Sequence, residues 1–136
     1  MKLFSFSALC LTVPAVWAAP VAELPAAVQQ AFDTYTALPG KLVPLLQKAQ
    51  DTETATQAAP QLKAALPAIY EARELLHNMP RLTPTQNQLV RTRYGRRMRE
   101  EWAGMYEQIS RLKTARCYQS AGFAEVFHLM CLMIER

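Results

Sequence analysis

The chain has 136 residues, 51% hydrophobic and 19% charged, with a formal net charge of +4. That is one domain's worth of sequence, long enough to bury a core without metals or disulfides. From Ala19 to Pro80 four basic residues stand against six acidic ones, and from Arg81 to Arg136 ten stand against five, so the positive balance belongs to the second half alone.

Residues 1–18 read as a secretory signal peptide. Lys2 supplies the positive start, Leu3 to Val13 the short apolar run, and Val16-Trp17-Ala18 a small-residue cleavage site. Pro20 disfavours a cut after Ala19. The apolar run is shorter than the roughly 20 residues a membrane-spanning helix needs, and no lipobox precedes Cys10. The expectation is an exported chain, periplasmic or secreted, with a single mature domain at 19–136 and no transmembrane segment within it.

Apolar spacings of three and four residues dominate the mature chain. Leu24, Val28, Ala31, Phe32, Tyr35, Leu38, Leu42, Leu45, Leu46 and Ala49 form one stripe, which predicts a helix over about Ala22 to Gln50. Pro39-Gly40 predicts a kink or brief break in it. Asp51 to Thr54 is polar, with Thr52 or Thr54 as the expected N-cap. A second helix is predicted to about Met79 on a stripe of Ala55, Ala58, Ala59, Leu62, Ala65, Leu66, Ile69, Arg73 and Leu76. Pro60 and Pro67 fall on its opposite face. Arg73 stands in the stripe itself, where its stem can lie along apolar neighbours with its head wet.

Thr83-Pro84-Thr85-Gln86 is a capping box with proline at the first helical position. It starts a long helix predicted to run to about Tyr118 on a stripe of Val90, Tyr94, Met98, Trp102, Met105, Ile109 and Leu112. A final helix after Ser120 carries Phe123, Val126, Phe127, Met130, Met133 and Ile134 on one face. No strand pattern, Gly-rich loop or low-complexity segment occurs in the sequence. Short connections predict an all-α, antiparallel up-down helical bundle of three long helices and a shorter C-terminal one, kinked at prolines.

The stretch Ala49 to Leu66, AQDTETATQAAPQLKAAL, resembles small exported helical proteins of uncharacterised function from verrucomicrobial gut bacteria. The resemblance extends through Leu82-Thr83-Pro84 and Cys117-Tyr118-Gln119-Ser120. Its motifs are packing and turn motifs, so it implies the fold and the export and carries no catalytic residue.

Five arginines, Arg91, Arg93, Arg96, Arg97 and Arg99, fall within nine residues of the long helix and make the first candidate, an anion-binding surface. Mapped at 100° per residue they wrap the helix instead of forming one face, with Arg93, Arg96 and Arg111 on the solvated side opposite the apolar stripe, and Arg96–Glu100, Arg97–Glu101 and Glu107–Arg111 are spaced for i,i+4 pairing. Arg93, Arg96 and Arg97 remain the anion-binding candidates. Nucleic acid is not expected as a partner of an exported chain.

Cys117 and Cys131 survive maturation and read as a disulfide, an intermolecular bridge or buried free thiols. Two residues flanking a helix–helix turn at unequal distances sit at different levels, which works against a simple intramolecular bridge.

His128 and Cys131, with Met130 and Met133, suit copper or haem iron. The expected architecture is similar to that of cytochrome b562-like proteins, and the likeness implies a methionine ligand near the mature N-terminus. No methionine occurs between Ala19 and Asn78, and no CxxCH is present, so no cofactor is expected.

For enzyme chemistry there is no GxSxG, HExxH or phosphate loop. The carboxylate pairs Glu71/Glu74 and Glu100/Glu101 read as solvated faces. The sequence therefore points to a non-catalytic binding or structural module of the cell envelope, partnered by another envelope protein or by itself. The alternatives are an anion binder using the Arg91–Arg99 region and a haem or metal carrier using His128.

Overall fold

The computed structural model describes residues 23–135; the signal peptide expected at 1–18 lies outside the described residues. The fold is all-α: α1 (Ala26–Lys48), α2 (Thr52–His77), α3 (Pro84–Thr114) and α4 (Ala121–Glu135). Among the described residues there is no strand, and no helix is long and apolar enough to cross a membrane.

Helix α1 starts after Pro25, whose carbonyl accepts from the amides of Val28 and Gln29. It runs without a break through Pro39 and Pro44, so of the kink or brief break expected at Pro39-Gly40 the break does not occur. The missing proline amide costs one helical bond, but Pro39 is itself buried between Leu38 and Leu42 in the core.

The cap of α2 is Asp51, where Thr52 or Thr54 was expected. Its carboxylate accepts from the Thr54 amide at 2.8 Å, and the Thr54 hydroxyl accepts from the Asp51 amide at 3.0 Å. Thr54 thus takes the reciprocal N3 position of the capping box. The Thr54 amide, with the Thr54 hydroxyl as a second donor to the carboxylate at 2.8 Å, holds the Asp51 carboxyl below its ordinary range. Pro60 and Pro67 are exposed on the outer face of α2. On the inner face Ala55, Ala58 and Ala72 are buried with Ala49, and small side chains there let α1 and α2 pack closely.

The Thr83 capping box of α3 forms as the sequence predicts, with Gln86 as its reciprocal partner. The far end does not. The helix stops at Thr114, and Arg116, Cys117, Tyr118 and Gln119 take positive φ of 49°, 51°, 51° and 59°. Four consecutive non-glycine residues thus make one left-handed turn, at a cost on the order of 1–2 kcal/mol each. Long-range contacts hold it. The Thr52 hydroxyl donates to the Tyr118 carbonyl at 2.7 Å, Arg111 donates to the Tyr118 hydroxyl at 2.9 Å, and Cys117 is buried. Ser120 stands at the N-cap position of α4, where its carbonyl receives the Ala124 amide. Its hydroxyl pairs with that of Thr56 on α2 at 2.9 Å.

Helix α1 packs closely on α2 and α3, and α2 also packs on α4. The starts of α1 and α3 meet through Gln86 with the Glu23 carbonyl and Arg93 with Gln29, both at 3.5 Å. Their ends meet through Arg111, which donates to the carbonyls of Leu46 and Ala49 at 2.8 and 2.9 Å. Two apolar clusters result. The larger joins all four helices through residues such as Leu42, Leu62, Met105, Phe123 and Met130. The smaller holds Leu24, Val28, Val90 and Tyr94 near the starts of α1 and α3. Met98 touches both. At 1.5 Å per residue α3 is about 46 Å long and α4 about 22 Å. Helix α4 can therefore flank only about half the length of α3.

Candidate functional site

Where α4 ends, its last turn borders a cleft of about 320 Å³. Helix α1 contributes Tyr35 and Leu38 to it, α2 contributes Ile69, Arg73, Leu76 and His77, α3 contributes Trp102, and α4 contributes Met133 and Ile134. The walls are apolar and aromatic, with a guanidinium, an imidazole and a phenol set among them, the composition expected of a small-molecule site. Tyr35 and Trp102 stack with ring centroids 4.6 Å apart and 21° between planes. Burial, reinforced by the nearby Tyr106 phenol, raises the Tyr35 hydroxyl above its ordinary value, so it stays a protonated donor at neutral pH. The indole N–H of Trp102 is buried with no acceptor among the described residues, as is the Thr36 hydroxyl. Each such group is a desolvation cost of about 1–3 kcal/mol.

Arg73 is half-buried and makes no hydrogen bond or ion pair among the described residues. The contrast with Arg111 is direct. That side chain bonds Leu46, Ala49, Gln108 and Tyr118 and so satisfies most of its five N–H donors. The sequence had placed Arg111 on the solvated face, paired with Glu107. The structure corrects this: its guanidinium reaches across to the carbonyls of Leu46 and Ala49 at the end of α1, the negative end of that helix's dipole.

On the other side of Trp102 lies a more open hollow of about 540 Å³ lined by Tyr35, Gly95, Met98, Arg99, Trp102, Ala103 and Tyr106. Trp102 and Tyr106 sit with centroids 5.9 Å apart, and Tyr106 is 52% exposed.

The anion-binding candidates lie outside the cleft. Arg96 pairs with Glu100 at 2.9 Å and Arg97 with Glu101 at 3.9 Å, as the i,i+4 spacing predicts, while Arg93 reaches Gln29 on α1. The Arg96 and Glu100 side chains are 85% and 63% exposed, so that pair contributes about 0–1 kcal/mol.

His128 is exposed on α4, whereas Met130 and Cys131 are buried. Among the described residues no group of three His, Cys, Asp or Glu side chains is placed to hold a metal ion. Cys117 and Cys131 are both buried, unbridged thiols. Burial raises the Cys117 thiol, and burial with the nearby Glu135 and Cys117 pushes Cys131 up to about 11 against the opposing pull of Lys113. Both are protonated, and weak nucleophiles, at neutral pH.

Sequence reasoning assigned Tyr35, Leu76 and Trp102 to packing stripes and gave His77 no role. The signal available was Arg73, a charge at a core-stripe position of α2 with no acidic partner assigned to it. Compared with protein-family models, curated proteins and solved structures, the chain matches none.

Proposed function

We propose that the chain is an exported, non-catalytic binding module of the cell envelope, built as an antiparallel up-down bundle whose short fourth helix leaves a cleft open to a small ligand. The observation that carries this reading is the cleft where α4 ends, with apolar walls and Arg73 unpaired among the described residues beside it. Antiparallel packing is supported by the three- and six-residue links between α1, α2 and α3 and by the meeting of like ends of α1 and α3.

A panel of small apolar compounds tests the reading by thermal denaturation. A compound present at about 100 times its Kd stabilises a single-site protein by about 2.7 kcal/mol, which for a domain of this size raises Tm by roughly 10 °C. Leu76→Trp, which fills the cleft from its wall, abolishes that rise. A panel in which no compound raises Tm contradicts the reading.

Contact with another envelope protein or a second copy is a second reading, favoured by the hollow beside Tyr106. It assigns no small ligand to the cleft, so the same panel separates the two.

A further inference from the structure

We propose that the cleft is selective for a small monocarboxylate carrying an apolar body, held by the Arg73 guanidinium. This rests on the binding-module reading above and names the ligand class for the same cleft.

Arg73 rises from the apolar stripe of α2, with Ile69 one turn before it and Leu76 and His77 one turn after, all lining the cleft. Half-buried among such neighbours, a guanidinium is costly to leave without acceptors. A carboxylate meets its fork with two parallel charge-assisted bonds. No carboxylate among the described residues lines the cleft. On the same helix Glu74 accepts from the Asn78 side chain at 3.4 Å, and Glu71 is exposed. The one opposing influence is the C-terminal end of α2, whose dipole disfavours an anion. That effect is confined to the last turn and is screened by solvent, whereas the forked ion pair is a direct charge-assisted contact.

The rest of the cleft defines the body of the ligand. Leu38, Ile69, Met133 and Ile134 present aliphatic surface and Trp102 an aromatic wall, while the Tyr35 hydroxyl offers a neutral donor. A volume of about 320 Å³ is roughly ten water volumes and lies at the small end of ligand sites. It suits a branched alkyl or single aromatic ring, and excludes a long-chain lipid. One guanidinium balances one negative charge, which favours a carboxylate over a dianionic phosphate.

Calorimetric titration at low salt tests this with 4-methylpentanoate and phenylacetate, their amides, and phenyl phosphate. The acids bind at least tenfold more tightly than the matching amides, and phenyl phosphate binds more weakly than phenylacetate. Arg73→Met removes the preference for acid over amide while leaving amide binding in place, and Arg73→Lys keeps part of it. Equal affinity for acids and amides, or an Arg73→Met protein that still prefers acids, overturns the selectivity but leaves the binding-module reading standing. Tighter binding of phenyl phosphate overturns the carboxylate assignment. Binding of no probe at all overturns the selectivity, and the binding-module reading then stands or falls on the wider denaturation panel. Should Arg73→Met fail to fold, the comparison of acid with amide in the unaltered protein still decides.

Discussion

Replacing Arg111 by methionine lowers the stability of the protein by about 3 kcal/mol, roughly 10 °C in Tm. The guanidinium ties the ends of α1 and α3 together, donating to the Leu46 and Ala49 carbonyls, to the Tyr118 hydroxyl and to Gln108, all within 2.9 Å. Its loss strands the Ala49 carbonyl, leaves the Leu46 carbonyl only the 3.3 Å bond from the Ala49 amide, and removes a support of the left-handed turn, whose backbone is unfavourable on its own. Hydrogen bonds from a charged donor contribute about 1.5–3 kcal/mol each when isolated. They share one side chain here, so they do not sum. Arg111→Lys recovers less than half, because an ammonium cannot reproduce the planar fork. Arg96→Met, which removes an exposed i,i+4 pair, changes stability by about 0.5 kcal/mol or less. Urea denaturation measures all three. An Arg111→Met variant as mild as Arg96→Met contradicts the role assigned to this side chain.

Phe123→Ala has the second large effect, a loss of about 3–5 kcal/mol. Phe123 is fully buried and stacks on Phe127 at 6.0 Å between centroids. Among the long helices α4 packs closely on α2, so its attachment rests heavily on these two rings. Against a typical total stability of about 5–15 kcal/mol, the cavity removes a large share. Hydrogen exchange shows where: amides of α4 lose protection before those of α1 and α3. The cleft changes with them, because Met133 and Ile134 form one of its walls, and ligand binding weakens in parallel. Uniform loss of protection across all four helices contradicts a locally attached α4.

How much of this was legible in the sequence differs by element. The all-helical class was written in three- and four-residue spacing, and the start of α3 in one capping box, because both are local properties of the chain. The end of α3 was not. The periodicity stops at Leu112, but nothing in Arg116 to Gln119 calls for positive φ, since none of the four is a glycine. The left-handed turn is imposed from elsewhere, by Thr52 on α2, by Arg111 and by the burial of Cys117. Arg111 was misread for a related reason. Angular mapping places it on the outer face of its own helix, but α1 lies near enough for a long side chain to reach its final carbonyls. Ser120 holds the N-cap position of α4, but its hydroxyl finds a tertiary partner in Thr56 in place of a backbone amide. The arginine run drew attention through its density, yet its pairs are local and exposed. The cleft depends on where α4 stops relative to α2 and α3, a fact of packing. Only Arg73, charged within an apolar stripe, marked it in advance.

The central claim is that a small ligand occupies the cleft between Tyr35, Arg73, His77, Trp102 and Ile134. Backbone amide shifts recorded during titration of the isotopically labelled protein with 4-methylpentanoate test it most directly. The account predicts saturable shifts centred on those residues and on Leu76 and Met133, with Arg93, Arg96 and Arg97 unmoved. Shifts centred on the three arginines, or on the hollow beside Tyr106, contradict it.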